Sequence, residues 1–178
     1  MQYRLLLIAA VAMAACRGPV VAAGRQSAPT TAAMSPNAHD HAAPMSNDPL
    51  PVKELEKAKR ATARYKDVDN ALADGYTDID VVLPNMGRHF LKEARLDATF
   101  DAERPELLVY REEKGGRLTL VSLEYAVPLK LSEKAPEGFT GGRDGWFADQ
   151  KFQLWTLHAW IWRDNPEGVF HSTNKQVP

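Results

Sequence analysis

Apolar positions between residues 52 and 74 recur every three or four residues, while lysine and glutamate occupy the positions between them. The apolar stripe consists of Leu55, Ala58, Thr62, Tyr65, Val68 and Leu72. No glycine or proline interrupts the segment, and Gly75 follows where a C-terminal cap belongs. The pattern predicts one amphipathic helix of about five or six turns.

After this segment the period changes to two, which is typical of strands. Four segments show it: Tyr76–Leu83, Glu106–Glu112, Arg117–Pro128 and Phe152–Trp162. Lys114-Gly115-Gly116 joins the second to the third and predicts a β-hairpin, whereas glycine-rich Pro136–Asp149 predicts a loop. We therefore expect an α+β fold, with one long N-terminal helix packed on an antiparallel sheet of about four strands, as a single domain over residues 52–178.

The N-terminus has the layout of an export signal. Arg4 precedes an apolar run over residues 5–12 that is too short to remain as a membrane-spanning helix. Met13-Ala14-Ala15-Cys16 resembles the lipobox of bacterial lipoproteins, although Met13 replaces the usual leucine. The resemblance implies cleavage of residues 1–15 and lipidation of Cys16. The alternative is ordinary secretion with Cys16 as an incidental thiol.

Residues 16–51 predict a flexible tether, because alanine, proline, serine, threonine and glycine dominate and bulky apolar residues are scarce. A lipidated Cys16 on such a tether predicts a protein anchored in the cell envelope, at the outer membrane and facing the periplasm. The expected partner is thus a membrane, reached through the lipid.

The composition excludes several kinds of chemistry. Cys16 is the only cysteine, so its lipidation would leave no thiol for disulfides, cysteine-based zinc sites or cysteine nucleophiles. The formal net charge of −1 falls to about −2 when Arg4 is removed with the signal. This balance gives no reason to expect a nucleic-acid partner.

The tether contains one candidate metal site. Met34, His39, His41 and Met45 stand in an otherwise inert stretch. Thioether and imidazole ligands suit copper, so weak copper binding is one hypothesis and incidental composition is the other.

In the domain, three residues form the main candidate site. Alternation places Glu124 and His158 on the less apolar faces of two strands, where they can meet if those strands are neighbours. His89 follows a turn that can fold over this face. Two imidazoles and a carboxylate are ligands for zinc, iron or copper. The alternatives are a structural His–Glu pair with His89 capping a turn, and a pocket for an organic ligand.

The tryptophans crowd the C-terminal third of the chain. Alternation predicts that Trp155 shares a core face with Leu157, whereas Trp160 shares the face of His158. An aromatic ring beside His158 suits the wall of a ligand-binding pocket, but core packing is the favoured interpretation.

The segments 84–90, 120–128 and 157–168 resemble an uncharacterised family of small secreted bacterial proteins. The resemblance implies export and a single domain but assigns no activity. The chain lacks a Gly-x-Ser-x-Gly elbow, a phosphate-binding glycine loop and a His-Glu-x-x-His pair. We therefore expect a lipid-anchored envelope protein that binds a small ligand or partner without catalysis at His89, Glu124, His158 and Trp160. The alternative is a zinc- or copper-binding or metal-dependent protein that uses the first three.

Overall fold

The computed structural model describes residues 48–178. The predicted signal, Cys16, most of the tether and the candidate copper ligands Met34, His39, His41 and Met45 lie outside the described residues. No helix within 48–178 combines the length and the apolar character needed to cross a membrane.

The described chain contains two short helices and six strands. Helix α1 is Val52–Thr62 and α2 is Val68–Ala73, joined by a 3-10 turn at Ala63–Lys66. The strands are β1 Thr77–Leu83, β2 Gly87–Leu91, β3 Leu107–Glu112, β4 Leu118–Pro128, β5 Phe147–Asp149 and β6 Leu154–Ala159. They form one antiparallel sheet in the order β1-β2-β3-β4-β6-β5. The prediction of one long helix on about four strands was therefore wrong.

The predicted helix is broken at Asp67. This residue has an extended backbone (φ −92°, ψ 115°), and its side chain accepts a hydrogen bond from the backbone N–H of Asp69, so it caps α2. The 3-10 turn before it changes the helical phase. As a result Ala71 is fully buried, whereas Leu72 of the predicted stripe is 47% exposed. Gly75 (φ +89°) does end α2, as predicted.

The two strands missed by the sequence patterns are β2 and β5. The segment Pro84–Gly87 predicts a turn, and a turn with Asn85 at φ +60° is present, but β2 begins immediately at Gly87. Strand β5 has only three residues and ends a glycine-rich segment, so it is too short for a period of two to be recognised.

A bulge in β4 decides which side chains face the helices. The predicted hairpin of β3 and β4 is present, but Val109 pairs with Ser122 while Tyr110 pairs with Leu120, which leaves Val121 as an extra residue. Because of this shift, Leu120 and Leu123 both join the core beneath the helices. Ser122 and Glu124 face the opposite side of the sheet.

The core beneath the helices is rich in aromatic residues. Its central members are Tyr65, Tyr76, Phe90, Leu108, Tyr110, Leu123, Tyr125 and Leu157. Three tyrosine hydroxyl groups donate hydrogen bonds of 2.7–2.8 Å to backbone carbonyls: Tyr76 to Pro105, Tyr110 to Tyr65, and Tyr125 to Ala102. Burial of these rings is thus compatible with satisfied polar groups.

Glu106 makes the stability of this core depend on pH. Burial raises the pKa of Glu106 to about 8, while its Oε2 accepts a hydrogen bond from the N–H of Ala126 at 2.9 Å. The nearby charges of Asp97 and Arg95 act in opposite directions. The pKa of Glu106 in the folded protein exceeds its ordinary value of 4.5, so the protonated side chain favours the folded state. This stabilisation is complete below pH 4.5 and is lost as the pH rises through about 8.

We therefore expect Glu106→Gln to gain stability relative to the wild type as the pH rises. Glutamine keeps an acceptor for Ala126 but takes no charge, so its advantage in free energy of unfolding should grow by roughly 2 kcal/mol or more between pH 5 and pH 9. Urea denaturation at both pH values measures this difference. The exposed Glu103→Gln variant is the control and should follow the wild type. If the free energy of unfolding changed equally in all three proteins between pH 5 and pH 9, Glu106 would not be neutral in the folded protein.

Candidate metal centre

The three predicted residues converge on the face of the sheet opposite the helices. His89 lies on β2, Glu124 on β4 and His158 on β6, and each side chain is at least 90% buried. Glu124 pairs directly with His158 across the ladder. His89 lies in a strand, and it reaches Glu124 across the intervening β3.

The distances between the three side chains are slightly longer than those between ligands of one metal ion. His89 Nε2 lies 3.5 Å from Glu124 Oε2, and His158 Nε2 lies 3.9 Å from Glu124 Oε1. One ligand atom from each of the three side chains lies within 4.8 Å of the other two. Tetrahedral zinc with bonds near 2.1 Å separates its ligand atoms by about 3.4 Å. A small inward movement of these side chains would complete such a shell.

At these distances the contacts between the two histidines and Glu124 are too long for strong hydrogen bonds. At 3.5 Å, the contact between His89 and Glu124 is at the outer limit of a hydrogen bond. Within residues 48–178, no hydrogen-bond donor satisfies the buried Glu124 Oε2. A buried carboxyl oxygen without a donor is costly unless it binds something else.

His89 is oriented by the neighbouring edge strand. Its Nδ1 lies 3.0 Å from the carbonyl of Val81, which can only accept, so Nδ1 carries the proton of the neutral ring. Nε2 then keeps its lone pair directed at Glu124. A bulge in β1, with Asp80 at φ +56°, sets this register. A backbone carbonyl that fixes the tautomer of a histidine is the usual support of a metal ligand.

His158 is oriented by Trp160. The two rings are stacked, with centroids 5.9 Å apart and planes inclined by 13°. The indole N–H of Trp160 donates to the carbonyl of His171 at 2.6 Å, and the ring is buried with Val109, Val121 and Val177. Trp160 thus lies against a site residue and packs in the core, which is the interpretation that the sequence pattern favoured. Trp155 is half-buried and donates its indole N–H to Ser132.

Burial favours the neutral forms of both the Glu124 carboxyl group and the His89 imidazole. It raises the pKa of Glu124, and the negative charge of Asp149 adds to this effect while His158 opposes it. Burial lowers the pKa of His89, partly offset by the Val81 carbonyl. A neutral imidazole is the form that binds a metal, so His89 is prepared for coordination. A bound cation would in turn favour the carboxylate form of Glu124.

The site lines a cavity of about 270 Å³. Both edge strands contribute to its wall, β1 through Ile79 and Val81 and β5 through Phe147 and Asp149, so the sheet curls around it. Its lining is mainly apolar, with Leu83, Met86, Leu91, Leu96, Leu107 and Leu154 among its members. The two histidines and Glu124 therefore lie at the wall of a largely apolar cavity that is partly open to solvent.

Asp149 and Phe152 are lining residues that the sequence patterns did not identify. Asp149 Oδ1 accepts hydrogen bonds from the backbone N–H groups of Lys151 and Phe152, at 2.8 and 3.0 Å. The Asp149–Phe152 turn places both residues at the cavity. An aspartate that precedes a turn is a common sequence feature, and only the pairing of β5 with β6 reveals its position.

Comparison of the chain with known protein families, with curated proteins and with solved structures found no match. The assignment of the site therefore depends on its geometry.

Proposed function

We propose that this protein binds a divalent transition-metal ion, zinc in the first place, through His89, Glu124 and His158. The observation that carries the proposal is the spacing of three buried ligand atoms from three strands, within 4.8 Å of one another. The Glu124 oxygen that lacks a donor and the carbonyl that fixes the His89 tautomer support it.

The donor set decides which metals fit. Two imidazoles and one carboxylate suit zinc, iron(II) and copper(II), whereas calcium and magnesium prefer oxygen ligands alone. Three protein ligands on the wall of a cavity leave the remaining positions of a zinc ion open towards that cavity. A zinc ion held in this way could bind a further ligand from the cavity.

Zinc titration of the full chain tests this proposal. Since His39 and His41 of the tether also bind metals in principle, the protein carries His39→Ser and His41→Ser. We expect one zinc per chain by calorimetry and by metal analysis after dialysis. Copper is titrated in parallel, and a second copper equivalent that these two substitutions remove would belong to the tether. Absence of stoichiometric zinc, iron or copper in the substituted chain would overturn the proposal.

The envelope location is a separate proposal, supported by the residues that precede Cys16. An exported chain lipidated at Cys16 would hold the domain at the outer membrane on the periplasmic side. We expect Cys16→Ser to move the protein from the membrane fraction to the soluble fraction, because the lipid supplies the membrane affinity. Immunoblotting of fractionated cells measures this change, with Ser27→Ala in the same segment as the control. A wild-type protein already found in the soluble fraction would contradict lipid anchoring.

A further inference from the structure

We infer that the cavity binds a small, neutral and mainly apolar molecule whose single oxygen atom, from an alcohol or carbonyl group, contacts the bound metal. This inference rests on the proposed zinc site and specifies the ligand class. It follows from the size of the cavity, the distribution of its polar atoms and the balance of charge around the metal.

The cavity sets the size of the ligand. An apolar protein cavity of about 150 Å³ holds one benzene molecule, so the present 270 Å³ has room for about ten non-hydrogen atoms. Ile79 and Phe152 line it and are 36% and 37% exposed. Ile79 lies on the edge strand β1 and Phe152 in the turn between β5 and β6, so apolar side chains from both ends of the sheet order reach solvent at the cavity.

The polar lining side chains set the position of the oxygen atom. Among the described residues they are His89, Glu124, His158, Asp149, Thr156 and Ser172. Thr156 lies two residues before His158 on β6, on the same face of the sheet. Asp149 lies on β5 opposite Leu154 of β6, and its buried carboxyl group lines the same cavity. A ligand with one polar end and an apolar body matches this uneven lining.

The balance of charge selects a neutral ligand. Glu124 and Asp149 are the two carboxyl groups among the lining residues, so a bound zinc ion would leave the cavity without net charge. A carboxylate ligand would leave an uncompensated negative charge in a largely apolar cavity, and an ammonium ligand a positive one. Lys151 is exposed, so solvent screens its charge. An uncharged alcohol or carbonyl compound adds no charge and still offers a lone pair to zinc.

The test compares three probes of similar length: hexan-1-ol, hexanoate and hexylamine. We expect hexan-1-ol to bind the zinc-loaded full chain at least tenfold more tightly than either charged probe. Removal of zinc should weaken its binding at least tenfold, because the oxygen atom loses its metal contact. Calorimetry and ligand-observed NMR measure these affinities.

Two tryptophan variants on β1 localise the binding. Leu83 lines the cavity, whereas Val82 beside it is 54% exposed. Leu83→Trp should fill the cavity and abolish binding of hexan-1-ol while one zinc still binds. Val82→Trp is the matched control and should bind both normally. If Leu83→Trp does not fold, Leu91→Phe on β2 fills the same cavity by a smaller change.

The outcomes separate the two proposals. Zinc binding without binding of hexan-1-ol, or with equal binding of a charged probe, would overturn the ligand class and leave the metal site intact. Equal affinity for hexan-1-ol with and without zinc would overturn the contact with the metal. Failure of zinc to bind would overturn the proposed function and this inference with it.

Discussion

Replacement of Glu124 by glutamine is expected to weaken zinc binding at least a hundredfold, or about 2.7 kcal/mol. The substitution keeps the shape of the side chain but removes the only negatively charged ligand of the three. Changes to groups that merely support a ligand typically cost ten- to a hundredfold, so loss of a ligand charge should cost at least that much. Competition with a chromogenic zinc chelator measures the change.

The same variant distinguishes a metal ligand from a structural residue. Burial raises the pKa of Glu124, so the metal-free fold favours an uncharged group at this position. The free energy of unfolding of metal-free Glu124→Gln should therefore equal or exceed that of the wild type. Glu133→Gln, at an exposed position, is the control for both measurements. A variant destabilised by roughly 1–3 kcal/mol that still binds zinc normally would identify Glu124 as a structural hydrogen-bonding residue.

Gly87→Ala should lower the free energy of unfolding by roughly 2–5 kcal/mol. Gly87 has φ +112°, and a β-carbon there would lie 2.5 Å from the carbonyl oxygen of Tyr110 on β3. The left-handed backbone alone costs an alanine roughly 1–2 kcal/mol, and relief of the steric overlap adds roughly 1–3 kcal/mol. The strain acts two residues before His89, so zinc affinity should fall as well.

The Gly75→Ala variant separates the cost of the backbone conformation from the cost of the steric overlap. Gly75 has φ +89°, but a β-carbon there meets no atom within 4 Å. Its replacement should cost only the roughly 1–2 kcal/mol of the backbone conformation and should leave zinc affinity unchanged. Urea denaturation of both variants gives the comparison. If the two variants were equally destabilised, β3 would accommodate the new β-carbon at position 87 without a measurable loss of stability.

The faces on which Glu124 and His158 lie could be predicted because β4 and β6 are long enough for alternation to be visible in the sequence, whereas the pairing of these two strands could not. The side of the sheet that each residue faces follows from that alternation once the strands are neighbours. The break in the predicted helix, in contrast, has no signature in the hydrophobic pattern. The apolar stripe continues through Asp67, and its periodicity does not show that this residue starts a second helix.

The position of His89 could not be predicted beyond its proximity to the site. Two bulges, at Ile79-Asp80 in β1 and at Val121 in β4, set the registers that bring Val81, His89 and Glu124 together. A bulge is a shift between two strands, so it has no signature within either strand alone. The cavity depends in the same way on the curl of the whole sheet, because its wall comes from both edges.

The distribution of the three ligands over β2, β4 and β6 bears on how the protein folds. Thirty-five residues separate His89 from Glu124, and thirty-four separate Glu124 from His158. No local segment therefore holds two of the ligands, and an intermediate without β6 lacks the third. The complete site therefore requires β2, β4 and β6 all to be in place. A metal that binds only the completed sheet stabilises it by mass action, by about 2.7 kcal/mol at a free concentration a hundred times the dissociation constant.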